Sequence, residues 1–75
     1  EYAIAVADDW QGRGLGRLMM ERLIVIARSR GLGEMVGWVL PENVAMLRMM
    51  KGLGFASAPD EGDPHLRRVT LSLSP

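Results

Sequence analysis

The chain has no cysteine, so no disulfide can brace its 75 residues. It has no apolar run near the roughly 20 residues needed to cross a bilayer, and no charged-then-apolar leader with a cleavage site. A membrane location is therefore not expected, and a reducing cytoplasm fits best. It also has no charge excess: nine Lys and Arg balance nine Asp and Glu, for a formal net charge of zero. Phosphate backbones are held by basic surfaces, so this balance argues against a nucleic-acid binder. No metal site is expected. A domain of this length buries only about 60% of its unfolded surface and is marginal as a single copy. The chain begins at Glu1 rather than at methionine, and a segment of a longer protein is the expectation.

What is present alternates between two periods. Tyr2, Ile4 and Val6 share one face of a period-2 run from Glu1 to Ala7, which predicts a strand. Asp8-Asp9-Trp10 turns the chain. From Leu15 to Arg28 the set Leu15, Leu18, Met19, Leu23, Ile26 and Ala27 keeps helical spacing, with Arg17, Glu21, Arg22 and Arg28 outward. Gly31 and Gly33 stop that helix, and Glu34 to Leu40 reads as a buried second strand. Strand-helix-strand units cross over right-handed, so the two strands are expected to be parallel, with the loop before the first helix at a carboxyl end of the sheet. A second helix is expected after Pro41, with Asn43 near its start, an end near Leu53 and Gly54 as its stop. Val44, Ala45, Met46, Leu47, Met49 and Met50 leave few polar positions on it, so covering on more than one side is expected. Ala56 to His65 reads as a loop, and Val69, Leu71 and Leu73 alternate with Thr70, Ser72 and Ser74 as a strand with one polar face.

The loop Gln11-Gly12-Arg13-Gly14-Leu15-Gly16 carries the functional signal. Its alternate glycines allow close backbone approach, and the amides of a following helix start point at an anion. By themselves they fit a tight turn as well as a phosphate cradle. A P-loop needs lysine and a hydroxyl residue after its last glycine, and here Arg17 and Leu18 follow. A dinucleotide fingerprint needs glycine three residues after its second glycine; counting from either Gly12 or Gly14 puts Arg17 or Met19 there instead. Glu34 lies at the distance of a ribose-binding acid, but it begins a strand rather than ending one.

The remaining pattern, Gln-x-x-Gly-x-Gly after an apolar strand, followed by Asn43-Val44-Ala45-Met46 through Gly52-Leu53-Gly54-Phe55, resembles the GNAT superfamily of acyl-CoA-dependent N-acyltransferases. Asp8 to Gly16, Gly37-Trp38-Val39-Leu40 and the Met-rich second helix look most similar to the GNAT domain of bacterial protein lysine acetyltransferases. The resemblance implies an α/β (α+β) fold, a partial GNAT fold of strand-helix-strand-helix-strand, with the acyl-CoA cleft between the first two parallel strands. It implies acetyl-CoA as cosubstrate and a primary amine, such as a protein lysine, as acceptor. Ile4, Ala5 and Val6 would line the pantetheine arm. Gln11, Gly12, Arg13, Gly14, Leu15, Gly16 and Arg17 would hold the pyrophosphate, and Asn43 would reach the cofactor from the next helix. Gly37 would leave space near the thioester.

Acyl transfer needs an amine that has lost its proton, and Glu1 matches a glutamate that serves as base in the lysine acetyltransferase group. Its pKa would have to rise from about 4.3 toward neutrality. Where many members carry a tyrosine that protonates the leaving thiolate, four residues before Gly54, this chain has Met50. A thiol of pKa about 8.5 still leaves tolerably, with water as the proton source. Plainer roles stand beside each assignment. Glu1 also reads as a terminal carboxylate, Asn43 as a helix cap, and Met46, Met49 and Met50 as adaptable core. Asp60, Glu61 and Asp63 read as a solvated loop that would also attract a cationic lysine, and His65 as a turn residue. GNAT domains place three further strands and two helices before the segment that begins here. The chain is accordingly the C-terminal part of such a domain, expected either to pair as a homo-oligomer through an open strand edge or to join a missing amino-terminal half. The second functional class left open is a non-catalytic acyl-CoA-binding or assembly module.

Overall fold

The computed structural model describes residues 2–5 and 15–74. In chain order these form β1 (Tyr2–Ala5), α1 (Leu15–Ser29), β2 (Glu34–Val39), α2 (Val44–Gly52), β3 (Ala56–Pro59) and β4 (Arg67–Ser72). One mixed sheet runs in the order β1-β2-β4-β3. The expected parallel pair is present, with Tyr2 opposite Glu34 and Ala5 opposite Gly37. β4 pairs antiparallel with β2 on one side and with β3 on the other. Of the first strand expected from Glu1 to Ala7, residues Glu1, Val6 and Ala7 lie outside the described residues.

Alternation along the strands sorts the sheet into two faces. Met35 and Val39 of β2 join Val69 and Leu71 of β4 in a single core cluster, and Met20, Ile24 and Ala27 of α1 and Met46 and Met50 of α2 belong to it too. Both helices therefore cover the same face. Val36, Trp38 and Thr70 alternate onto the other. Leu73 extends the β4 alternation, and its amide donates to the Gly33 carbonyl at 2.9 Å.

Three expectations change on contact with the structure. The buried stripe of α1 is Gly16, Met20, Ile24 and Ala27, whereas Leu18, Met19, Leu23 and Ile26 are between 37% and 59% exposed. Apolar residues occupy most of that helix surface, so spacing alone permits two stripes, and the crossover between β1 and β2 selects one. α2 buries only Met46 and Met50, while Val44 is exposed, so its cover lies on one side. The segment after Phe55 contains β3, an additional strand. Ala56-Ser57-Ala58-Pro59 is fully exposed and poor in strand-forming residues. It pairs because β4 offers it an open edge.

The two helices end identically. In α1 the Gly31 amide donates to the Arg28 carbonyl and the Leu32 amide to the Ala27 carbonyl; in α2, Gly54 donates to Lys51 and Phe55 to Met50. Each is a Schellman motif, whose glycine must take a positive φ, here 73° at Gly31 and 101° at Gly54. Gly33, the other expected stop, is not needed for it. The residue after each glycine then turns inward: Phe55 is buried and Leu32 packs against the core. A Cβ at Gly54 would stand 3.4 Å from Leu71 Cδ1, an ordinary contact, so the cost of a side chain there is backbone strain. Gly54→Ala is expected to lower stability by about 1–2 kcal/mol in urea unfolding at unchanged m-value. An unshifted midpoint would show that the left-handed cap is not under strain.

Candidate functional site

The site is built where β1 hands over to α1 and β2 hands over to α2. Ile4 sits opposite Val36 and Ala5 opposite Gly37, the last pair of the parallel ladder among the described residues. β2 continues to Trp38 and Val39, which pair with Arg68 and Arg67 of β4. Gly37 is buried between Ala5 and Val69 in the register. Among the candidate cofactor residues, Val6, Gln11, Gly12, Arg13 and Gly14 lie outside the described residues, as does the candidate base Glu1.

α1 opens at Leu15. The first-turn amides of a helix have no intrahelical carbonyl partner and lie at the positive end of its dipole. Gly16 lies on the buried stripe of the helix. Arg17 is half-exposed, with its Nε 3.7 Å from Glu21 Oε2 one turn on. A surface pair of this kind contributes only about 0.3–0.5 kcal/mol.

Asn43 caps α2. Its Oδ1 accepts the Met46 amide at 3.2 Å, and its carboxamide NH₂ makes no hydrogen bond among the described residues. The cap and the cofactor role are thus compatible, one using oxygen and the other nitrogen. Met50 is 1% exposed, inside the core, and a thioether has no proton to give. Met46 is buried with it and Met49 packs alongside, which favours the core reading of the methionines.

The hairpin between β3 and β4 contains a link that sequence pattern did not indicate. Trp38 Nε1–H donates to Asp60 Oδ1 at 2.9 Å, across 22 residues. Asp60 Oδ2 accepts the Gly62 and Asp63 amides at 3.1 and 3.0 Å, and Asp63 Oδ1 accepts the His65 amide. The acids of this loop therefore serve first to shape it, and Asp60 ties it to the strand beside Gly37. The indole hydrogen bond holds the Asp60 carboxyl below its ordinary value, aided by the Asp63 and Gly62 amides and Arg68 and opposed by desolvation. Turn residues in Asp60-Glu61-Gly62-Asp63 signal the local part; nothing local signals Trp38.

Two expected outcomes follow from these contacts. Because Asp60 titrates lower folded than unfolded, its anchoring is fully present above about pH 3.9 and fades as the pH falls through the lowered value. The Trp38 indole N–H resonance should therefore titrate with a midpoint below 3.9, taken as approximately the unfolded value, and Asp60→Asn should abolish that titration. At the helix cap, Asn43→Ala is expected to cost about 1 kcal/mol of stability, whereas Asn43→Ser keeps the cap. If Asn43→Ser also keeps full acetyl-CoA affinity in calorimetry, the carboxamide has no cofactor role.

Comparison with known proteins bears on this arrangement directly. L-amino acid N-acyltransferase MnaT of Escherichia coli is 42% identical over 75 residues, covering 96% of this chain and 44% of the relative. Acetyltransferase Pat of Mycolicibacterium smegmatis is 44% identical over 54 residues, 72% of this chain and 16% of the relative. The chain thus spans less than half the length of these relatives. Among solved structures, yncA from Salmonella typhimurium, assigned as an acetyltransferase and solved with its cofactor acetyl-CoA, superposes with a TM-score of 0.74 at 32% identity, over 85% of this chain and 42% of that one. The GNAT domain of S. lividans PAT shares the fold, with a TM-score of 0.74 at 24% identity over 93% of this chain and 42% of that one. No helix among the described residues is long and apolar enough to cross a membrane. The model of the acetyltransferase (GNAT) family matches residues 1–55, and the chain belongs to that family.

Proposed function

We propose that this chain is the cofactor-binding part of an N-acetyltransferase that moves an acetyl group from acetyl-CoA to a primary amine, the lysine side chain of a protein being the acceptor class we favour. The observation that carries this reading is the parallel pairing of β1 with β2, the segment that joins them carrying α1 from the carboxyl end of β1. That backbone supplies strand groups for an extended arm and helix amides for a pyrophosphate. Ile4, Ala5 and Val6 would line the arm, residues 11–17 would hold the phosphates, and the carboxamide nitrogen of Asn43 would face the cofactor. Acetyl-CoA bound to the similar Salmonella protein supports the same ligand here.

In the proposed reaction Glu1 takes a proton from the ammonium, the amine nitrogen attacks the thioester carbonyl, and the zwitterionic intermediate loses its second nitrogen proton to water as the C–S bond breaks, giving an amide and coenzyme A thiolate. Met50 supplies no acid, so the thiolate would take its proton from water. A cytoplasmic setting and a homo-oligomer, or union with an amino-terminal half of the domain, complete the proposal. The buried thioether at Met50 favours one further reading, a non-catalytic acyl-CoA-binding or assembly module.

Calorimetry with acetyl-CoA tests the part common to both. Gly14→Asp puts bulk and negative charge in the cradle and should weaken binding about tenfold or more; unchanged affinity would refute the phosphate site. Thioester turnover with added amine then separates enzyme from binder. Glu1→Gln should reduce it by about 10²–10⁴-fold, and an unaffected rate would remove Glu1 as base.

A further inference from the structure

We propose that Gly52 is a positioning residue for the cofactor phosphates, its bare Cα allowing the Arg17 guanidinium to lie against the last turn of α2. The inference rests on the acyl-CoA reading above and goes beyond it by assigning a role to a residue outside the glycine loop. Gly52 closes α2, and its backbone does not take the positive φ found at Gly31 and Gly54. Conformational freedom therefore does not account for a glycine there, and alanine would be the better helix former. What a side chain would change is spatial. A Cβ at Gly52 would stand 3.3 Å from Arg17 Nη1, and no other such neighbour is found within 4 Å among the described residues.

Arg17 is thus held from two sides. Its Nε edge faces Glu21 Oε2 at 3.7 Å, and its Nη1 corner rests on the carboxyl-terminal turn of α2, the negative end of that helix dipole. The side chain remains half-exposed on the first described turn of α1. Arginine is rich in rotamers, and holding its planar fork before ligand arrives reduces the freedom lost when it meets a phosphate. A methyl group at position 52 would displace the guanidinium tip by a few tenths of an ångström. The second helix would thereby set the aim of a cation carried by the first.

The test uses the full chain and calorimetric titration with acetyl-CoA, alongside thermal unfolding, for the parent, Gly52→Ala, Arg17→Ala and the double variant. Gly52→Ala is expected to raise the unfolding midpoint while weakening acetyl-CoA about three- to tenfold. Opposite signs for stability and affinity rule out misfolding as the cause. On an Arg17→Ala background the same substitution should leave affinity unchanged. If Arg17→Ala weakens binding and Gly52→Ala does not, the positioning role is overturned while the acyl-CoA reading stands. Equal weakening by Gly52→Ala with and without Arg17 also overturns it, as does full affinity in Arg17→Ala. A parent chain that does not bind acetyl-CoA overturns the acyl-CoA reading itself.

Discussion

The pairing of β2 along both of its edges is the constraint on which the other elements depend. On one side it meets β1 in parallel, which requires a crossover long enough to hold α1 and brings the start of that helix to the carboxyl end of the strands. On the other side it meets β4 antiparallel, so α2 must carry the chain past β4 and return it through β3. Met35 and Val39 face the core between these two connections. The parallel half sets where α1 begins, and the antiparallel half brings Val69 and Leu71 into the core beside Met35 and Val39.

Where a local rule determined the outcome, the sequence was legible. A glycine that follows a helical pattern and precedes an apolar residue has few roles besides a left-handed cap, and Gly31 with Leu32 and Gly54 with Phe55 both take that role. β2 and β4 were readable because burial on both faces, or on one, leaves a distinct pattern of apolar residues. The order of the first two strands followed from the handedness of crossovers. The family was legible in the glycine loop and the Asn43 to Phe55 run, two motifs whose combination is more specific than either one.

What could not be read was decided by non-local partners. β3 has almost no strand character of its own, and it exists because β4 had an unpaired edge. Leu18, Met19, Leu23 and Ile26 have the spacing of a core face, yet the sheet takes the stripe through Met20 and Ile24. Trp38 and Asp60 are each unremarkable in their own segments, and their hydrogen bond appears only after the hairpin has brought residues 22 apart in sequence into register. Gly52 belongs to the same class: its neighbour across space lies on the other helix, and no window of sequence contains both.

The two margins of the sheet differ chemically. At one end β3 is four residues long, its last residue, Pro59, has no amide hydrogen, and a charged hairpin follows. That margin is poorly suited to receiving another strand. At the other end β1 presents Tyr2-Ala3-Ile4-Ala5, uncharged and free of proline. Among the described strands the two margins are therefore unequal, and the one formed by β1 has the composition that accepts a further strand. The chemical asymmetry of the margins thus matches the mixed pairing of the sheet, its parallel side carrying the apolar edge and its antiparallel side the polar one.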